Sequence, residues 1–387
     1  MTTSRFWVSA LVALLGAGSS LASTVITEKN GAGWRLLVDG QPYVVKGVSY
    51  GPEKVGEDPG AANLRNWMYV DDNRNGLLDG PYDAFVDANG DNLQSAAEPA
   101  IGDWALLRDL GANTIRIYHH PSNDPSVQDG YAANTSLLLQ YNRAPEKAAF
   151  RDLYNRFGIR VAMGDFFGAY RIGSGVAQST TTVYSNATQR TRMLASVRQM
   201  VVDYKDEDFL LMYVLGNENN LSSLTGTDAN TDPESFAEAI GEAVALIKSL
   251  DANHPVVIAL GDMPANVVAK LAALPVGQQP DIFGTNVYRD PNFQTLYTDF
   301  AVTGWDKPVL FTEFGDNSAA FIGGELDETQ QSAVLGAAWA DILANVAPSG
   351  TDSAIGGLAF TWLDNWWQNG APSLHTIVSP AATDFEN

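Results

Sequence analysis

Eight short β-rich runs alternate with amphipathic helical stretches along this chain of 387 residues. The runs lie at 43–50, 113–118, 159–163, 210–215, 255–260, 282–288, 308–312 and 357–362. The helical stretches lie at 104–110, 147–157, 188–204, 233–250, 264–274 and 329–346. This alternation predicts an α/β fold, a single (β/α)8 TIM barrel. A doubly wound open sheet is the alternative, but Gly47-Val-Ser-Tyr-Gly51 lacks the spacing of its phosphate loop.

The first 22 residues are predicted to be a signal peptide. Arg5 supplies a positive charge, residues 6–15 are mostly apolar, and Ser20 and Ala22 are small residues at the positions that a signal peptidase reads. We expect cleavage after Ala22 and a secreted or periplasmic protein, with an uncleaved anchor as the alternative. No later run reaches the roughly 18 apolar residues of a membrane span, so no stable membrane anchor is expected.

The composition excludes several classes of function. The 45% of hydrophobic residues is ample for a large core, and 23 basic against 45 acidic residues give a formal net charge of −22. That charge would repel a phosphate backbone, so no nucleic-acid partner is expected. The chain has no Cys, which removes disulfides, thiolate nucleophiles, Fe–S clusters and lipoprotein acylation.

Two glutamates follow predicted barrel strands. The fourth run leads into Gly216-Asn-Glu218, and the seventh leads into Thr312-Glu313. In a TIM barrel the carboxyl ends of all strands meet at one rim, where active sites lie. Since an eight-stranded barrel is narrow, Glu218 and Glu313 are expected to face each other across this rim.

These motifs resemble the clan of retaining β-glycosidases that are built on (β/α)8 barrels. The resemblance rests on Gly-Asn-Glu at 216–218, Thr-Glu-Phe-Gly at 312–315, Thr-Ile-Arg-Ile-Tyr at 114–118 and Trp362, and it covers about residues 45–369. Within the clan the sequence is most similar to β-1,3-glucan-active hydrolases and transglycosylases. It is also similar to β-galactosidase-like and β-mannanase-like enzymes.

The resemblance implies a catalytic pair and three of its partners. Retaining glycosidases use two carboxyls about 5–5.5 Å apart, one as acid/base and one as nucleophile. Glu218 matches the acid/base and Glu313 the nucleophile. Arg116 matches the arginine that keeps the nucleophile ionised, Tyr288 the tyrosine that hydrogen-bonds it, and Asn217 the asparagine that binds the sugar 2-hydroxyl.

Aromatic residues and histidines supply further candidate substrate contacts. Trp362 matches the clan's aromatic floor under the sugar ring, and Trp366 lies in the loop after the eighth run. Another aromatic cluster, 166–170, follows the third run, and its alternative role is to plug the barrel. His119 is a candidate substrate contact. With four His and no Cys in the chain, metal ligation by these histidines is disfavoured.

An insertion at 58–100, after the first run, is rich in Asp and Asn. Calcium prefers six to eight oxygen ligands in such loops, so we expect a structural Ca²⁺ site and no cofactor for catalysis. The candidate ligands are Asp71, Asn73, Asn75 and Asp79 in a first loop, and Asp87, Asn89, Asp91, Leu93 (through its carbonyl) and Glu98 in a second. The pattern departs from a calcium loop where Asn92 replaces the usual Gly, and the alternative is an acidic, turn-rich loop.

The predicted function is therefore a secreted retaining glycoside hydrolase, residues 23–387 forming the catalytic domain. Its expected partner is a polysaccharide or oligosaccharide, most of all a β-1,3-glucan. The alternatives are a β-glucan transglycosylase, a β-mannanase-like or β-galactosidase-like enzyme, and a carbohydrate-binding barrel without catalysis. A binding protein would be expected to lack one of the two glutamates, and both are present.

Overall fold

The computed structural model of the protein describes twelve stretches of the chain. These are residues 23–31, 33–50, 80–86, 88–89, 94–120, 143–177, 179–289, 292–315, 321–322, 325–326, 328–346 and 354–362. The strands are β1 (Val25–Asn30), β2 (Gly33–Val38), β3 (Gln41–Tyr43), β4 (Val45–Ser49), β5 (Thr114–Ile117), β6 (Arg160–Asp165), β7 (Leu210–Leu215), β8 (Val256–Gly261), β9 (Ile282–Asn286), β10 (Val309–Phe314), β11 (Phe321–Ile322), β12 (Glu325–Leu326) and β13 (Ala354–Ala359). The α-helices are α1 (Asp103–Leu110), α2 (Arg143–Phe157), α3 (Ala187–Tyr204), α4 (Ser222–Thr225), α5 (Pro233–Leu250), α6 (Ala265–Ala272), α7 (Leu296–Ala301) and α8 (Glu328–Ala344).

Eight parallel strands close into a barrel in the order β10-β13-β4-β5-β6-β7-β8-β9. The first barrel strand, β4, pairs with both β5 and the last barrel strand, β13, which completes the ring. Each of the eight predicted runs contributes one barrel strand. The predicted (β/α)8 barrel is thus confirmed, and the open sheet is excluded.

The helices begin where local sequence satisfies their free N–H groups. The Asn186 side chain accepts hydrogen bonds from the backbone N–H groups of Thr188 and Gln189 at the start of α3. Asp232 does the same for Ser235 at the start of α5, whose first residue is Pro233. These helices pack outside the barrel and fix the loops that cross its rim.

An antiparallel sheet of β1, β2 and β3 precedes the barrel and was not predicted from the sequence. Leu36 and Val38 of this sheet are buried in one cluster with Val45, Leu211 and Ile355, which lie on barrel strands. The sheet therefore covers the amino end of the barrel with apolar side chains. Because it forms a short hairpin-like meander, its alternation is too brief to indicate which surface it packs on.

None of the described helices has the length and apolar character needed to span a bilayer. The predicted signal peptide, residues 1–22, lies outside the described residues and stays a prediction.

Candidate active site

Glu313 lies near the carboxyl end of β10, and three side chains donate hydrogen bonds to its carboxylate. Arg116 Nη1 donates to Oε1 at 3.0 Å, and the Tyr118 hydroxyl donates to the same oxygen at 2.7 Å. The Tyr288 hydroxyl donates to Oε2 at 3.0 Å. Glu313 is only 5% exposed, so these donors replace most of the water that an exposed carboxylate would bind.

Arg116 is fully buried beneath the site and connects its parts. Its Nη1 also donates to the Thr312 carbonyl at 3.0 Å, and its Nη2 donates to Asn217 Oδ1 at 2.8 Å. The guanidinium lies 4.2 Å from the ring centroid of Tyr118. A buried cation without a partner is strongly destabilising. The ion pair with Glu313 gives Arg116 that partner, and each charge stabilises the other.

Both the oxygen and the nitrogen of the Asn217 side-chain amide make hydrogen bonds. Its Oδ1 accepts from Arg116 and from Asn286 Nδ2, the latter at 3.0 Å. Its Nδ2 donates to the Tyr170 hydroxyl at 3.2 Å. An amide nitrogen carries two N–H groups, so one donor of Asn217 is left for a further acceptor.

Glu218 follows Asn217 in a turn that begins at Gly216. Gly216 has φ +76°, and a Cβ at this position would lie 2.3 Å from Asn219 Oδ1, so the turn requires glycine. Glu218 itself has φ +54°, and its N–H donates to the Ala259 carbonyl at the end of β8. This backbone conformation is costly for a residue with a side chain and is typical of functional turns. Glu218 is half-buried at the rim.

Tyr288 lies within the electrostatic reach of both glutamates. Burial, then the charge of Glu313, and more weakly that of Glu218, raise the pKa of Tyr288 well above its usual value. Burial and Glu313 likewise raise the pKa of Tyr118. Both hydroxyls therefore keep their protons and remain donors at any ordinary pH.

His119, His120 and Asp165 form one group whose potential metal-ligating atoms lie within 4.8 Å of one another. Hydrogen bonds connect its members, and among the described residues His119 Nε2 and His120 Nδ1 are buried without a hydrogen-bond partner. The Phe166 N–H donates to His119 Nδ1 at 3.3 Å, and the Ser196 hydroxyl donates to Asp165 Oδ2 at 2.5 Å. His120 Nε2 lies 3.3 Å from the same Asp165 oxygen.

Protonation in this cluster is set by burial and by Asp165. Burial lowers the pKa of His119 to about 4, although Asp165 works in the opposite direction. Burial alone would raise the pKa of Asp165, but the hydrogen bond from His120 and the neighbouring polar groups lower it overall. His119 is thus neutral near pH 7. Because its Nδ1 accepts the Phe166 N–H, its proton lies on Nε2.

The predicted aromatic contacts divide between the rim and the core. Trp362 is half-buried just beyond β13, and its indole N–H donates to Asp103 Oδ1 at 3.0 Å. Phe166 is half-buried and stacks on Tyr118 with ring centroids 6.1 Å apart. Phe167 is fully buried, which for this residue favours the alternative that the cluster plugs the barrel. Trp366 lies outside the described residues.

The predicted calcium ligands are mostly outside the described residues. Asn89 and Glu98 are described, whereas Asp71, Asn73, Asn75, Asp79, Asp87, Asp91 and Leu93 are not. Glu98 accepts the Ser95 hydroxyl at 2.6 Å and backbone N–H groups of Ala88 and Ser95, and these bonds lower the pKa of Glu98. Its carboxylate thus folds back on the loop, and the calcium site stays a prediction.

Tyr118, Asn286 and Tyr170 belong to the site but were not singled out as site residues by the sequence. Tyr118 lies two positions after Arg116 and Asn286 two before Tyr288, so the two-residue period of a strand signals that each shares a face with its neighbour. Tyr170 belongs to the predicted aromatic cluster 166–170, but its contact with Asn217 depends on a loop whose path only the fold decides.

Comparison with known proteins adds information on the fold. No protein-family model and no curated protein matches the sequence. Solved structures do match: a calcium-binding mutant of β-glucuronidase 2 from Bacteroides uniformis has 12% identity and a TM-score of 0.51, over 89% of this chain and 33% of that chain. A GH2 β-galacturonidase from Eisenbergiella tayi bound to galacturonate has 16% identity and a TM-score of 0.49, over 88% and 46%.

A third match is the β-glucuronidase of Bifidobacterium dentium complexed with coumarin-3-O-glucuronide, with 17% identity and a TM-score of 0.48, over 88% of this chain and 43% of that chain. The chain therefore spans between a third and a half of the length of these solved structures. At 12% identity, the likeness to the B. uniformis structure supports the barrel fold alone.

Proposed function

We propose that this protein is a retaining β-glycosidase with Glu313 as nucleophile and Glu218 as acid/base. The observation that carries the proposal is the setting of Glu313, a buried carboxylate at a barrel rim with hydrogen-bond donors on both oxygens. One donor is a buried arginine, which stabilises the ionised form that a nucleophile needs. Glu218 stands half-buried on the same rim, within electrostatic reach of Tyr288, whose hydroxyl donates to Glu313.

The hydrogen bonds distinguish the two oxygens of Glu313. Among the described residues, Oε1 accepts from Arg116 and Tyr118, whereas Oε2 accepts from Tyr288 alone. Oε2 is therefore the oxygen that attacks the anomeric carbon. As the new C–O bond forms, the glycosidic C–O bond breaks and Glu218 gives its proton to the departing oxygen. Oε1 becomes the ester carbonyl and stays bound to Arg116 and Tyr118.

The second step returns the enzyme to its starting state. Glu218, now ionised, takes a proton from water, and the water oxygen attacks the anomeric carbon. The ester bond to Glu313 breaks, and its electron pair returns to the carboxylate that Arg116 stabilises. The remaining N–H of Asn217 is placed to donate to the sugar 2-hydroxyl, a contact that strengthens in the oxocarbenium-like transition state.

The substrate proposed is a neutral polysaccharide or oligosaccharide, with a β-1,3-glucan first. The motifs at 47–50, 114–118 and 216–219 support this choice by their resemblance to β-1,3-glucan-active enzymes. A uronide would need a cation for its carboxylate. Of the described arginines at the carboxyl ends of β5 and β9, Arg116 is engaged by Glu313 and Asn217, and Arg289 is paired with Asp262 and Asp299, which favours a neutral sugar.

Three further features belong to this proposal. The protein is secreted or periplasmic after loss of residues 1–22. A structural Ca²⁺ bound by the 58–100 insertion orders a loop beside the site and takes no part in the chemistry. Catalysis itself uses no cofactor, because two carboxyls suffice for both steps.

The test is product analysis on a panel that contains β-1,3-glucan, β-mannan, and aryl β-glucosides, β-galactosides and β-glucuronides, with calcium present. Oligosaccharides released from β-1,3-glucan by the wild type, and not by Glu313→Ala or Glu218→Ala, are expected. NMR of the first product should show a β-anomer, since double displacement retains configuration. Products longer than the substrate would identify a transglycosylase.

Two results would contradict the proposal. An α-anomer as first product would exclude double displacement. Full activity in either single variant, with folding checked by circular dichroism, would remove that glutamate from the mechanism.

A further inference from the structure

Asp103, a buried acidic residue at the start of α1, contacts Trp362. Asp103 is the first residue of α1 and is only 1% exposed. Its Oδ1 accepts the indole N–H of Trp362 at 3.0 Å, and its Oδ2 accepts the Tyr50 hydroxyl at 2.5 Å. Three segments that are distant in the sequence thus meet at one carboxylate: the residue after β4, the start of α1 and the residues after β13.

The indole of Trp362 is fixed at two points. Its backbone N–H donates to the Ser49 carbonyl at 3.0 Å, which anchors the main chain to the end of β4. The bond to Asp103 anchors the far edge of the ring. The ring orientation is therefore set before any substrate arrives.

This arrangement limits what Trp362 can offer a ligand. Indole has a single N–H donor and no acceptor, and Asp103 occupies that donor. Only the ring face is left, which suits the apolar face of a pyranose and not a sugar hydroxyl. The sugar contacted by Trp362 is consequently held by stacking, and its hydroxyls must be recognised by other side chains.

We propose that Asp103 is a positioning residue, which acts on the substrate solely by holding the indole of Trp362 as a stacking platform. This inference rests on the proposed glycosidase function. A positioning role differs from a general stabilising role, because it requires that Asp103 affect kinetics only when the indole of Trp362 is present.

A matched carboxylate at the opposite end of the barrel supplies the control. Asp251 is 6% exposed, and its Oδ2 accepts the Tyr213 hydroxyl at 2.8 Å and contacts His254 Nδ1 at 2.7 Å. It has the same kinds of partner as Asp103, a tyrosine and a ring nitrogen. Because it follows α5 and precedes β8, it lies away from the rim that carries the glutamates.

The experiment is a double-mutant cycle on kcat/KM for the preferred glycoside. Asp103→Ala should lower kcat/KM about 10-fold in the wild-type background, mainly through KM. In the Trp362→Phe background it should change kcat/KM by less than about two-fold, since phenylalanine has no N–H for Asp103 to hold. Asp251→Asn should lower the melting temperature and leave kcat/KM within about two-fold of wild type.

A conservative variant guards against failure to fold. Asp103→Asn keeps an oxygen that accepts the indole N–H, so it should recover most of kcat/KM. In ¹⁵N-labelled protein the indole resonance that disappears in Trp362→Phe should move in Asp103→Asn, because an amide oxygen replaces a carboxyl oxygen as the acceptor of the indole N–H.

Equal losses of kcat/KM from Asp103→Ala in both backgrounds, or an equal loss from Asp251→Asn, would overturn the positioning role. An unmoved indole resonance would do the same. These results all require an active wild type, so they differ from failure of the proposed function, in which the wild type turns over no glycoside at all.

Discussion

The two ends of the barrel are stabilised in different ways. Among the described residues, seven non-glycine residues have positive φ, and six of them lie beyond the carboxyl ends of barrel strands: Phe167, Tyr170, Arg171, Glu218, Asp262 and Gln294. The seventh, Asp39, lies in the turn between β2 and β3. The amino end is instead closed by the apolar side chains of the β1–β3 sheet. Backbone strain therefore concentrates at the end where we place the chemistry, as expected when stability is sacrificed for function.

Each end also contains a buried glutamate paired with an arginine. Glu313 and Arg116 form the pair at the carboxyl end. Glu207 and Arg151 form the pair at the amino end, with two hydrogen bonds of 2.7 Å, just before β7. The two pairs join the same groups, although Arg151 is exposed and Arg116 is fully buried, and we expect opposite consequences when they are broken.

The largest effect is expected from Glu313→Gln, which should lower kcat by about 10⁴-fold or more because the amide cannot attack the anomeric carbon. Glu207→Gln should leave kcat/KM near the wild-type value and lower the free energy of unfolding. Steady-state kinetics and urea unfolding of both variants check this. A large loss of kcat in Glu207→Gln would show that the two ends are not functionally distinct.

The next effect concerns the β1–β3 sheet, whose apolar side chains cover the amino end of the barrel. Leu36→Ala removes a side chain that is 1% exposed and should lower the free energy of unfolding by about 2–5 kcal/mol. The β1–β3 sheet and the two glutamates lie at opposite ends of the barrel strands. We therefore expect kcat/KM to be unchanged when it is measured well below the thermal unfolding transition. Urea unfolding measures the first quantity and an aryl glycoside assay the second. Unchanged stability would mean that the sheet does not close the barrel.

The third effect is a pH dependence of stability at the carboxyl end. The folded-state pKa of His119 is about 4, below the 6.5 of the unfolded chain, so the unfolded state binds the proton more readily. The stability from neutral His119 is complete above about pH 6.5 and is lost as the pH falls toward 4, by up to about 3 kcal/mol.

His119→Gln removes this titration, and urea unfolding between pH 4 and 7 should show a shallower pH dependence than wild type. The acidic group that faces His119 is Asp165, and both proteins retain it. Identical slopes for the two proteins would contradict the neutral, buried state of His119.

The smallest effect is expected from Tyr118→Phe, which removes one of two donors to Glu313 Oε1. A hydrogen bond to a charged group contributes about 1.5–3 kcal/mol, so kcat/KM should fall about 10–100-fold. Steady-state kinetics of both proteins check this. Tyr288→Phe is the comparison at Oε2, and a kcat/KM of Tyr118→Phe that matches wild type would argue against the role given to Tyr118.

The sequence anticipated much of the site and part of the fold. Glu218, Glu313, Arg116, Asn217 and Tyr288 were named from motifs, and the structure brings all five to one rim. The sequence did not anticipate the contact of Asp103 with Trp362 or that of Tyr170 with Asn217, because both depend on the paths of loops. For the aromatic cluster 166–170 it left two roles open, because apolar residues in a loop do not indicate whether the loop turns inward, and Phe167 is buried.

The sequence by itself determined the barrel and the positions of both glutamates. Strand and helix periods are local signals, and once eight parallel strands close, every residue at a strand's carboxyl end reaches the same rim. Only the tertiary structure decided the partners that the resemblance did not imply. Tyr118 meets Glu313 across 195 residues, and Asp103 meets Trp362 across 259. Such contacts depend on the register with which the ring closes and on the paths of its loops, and no local pattern encodes either.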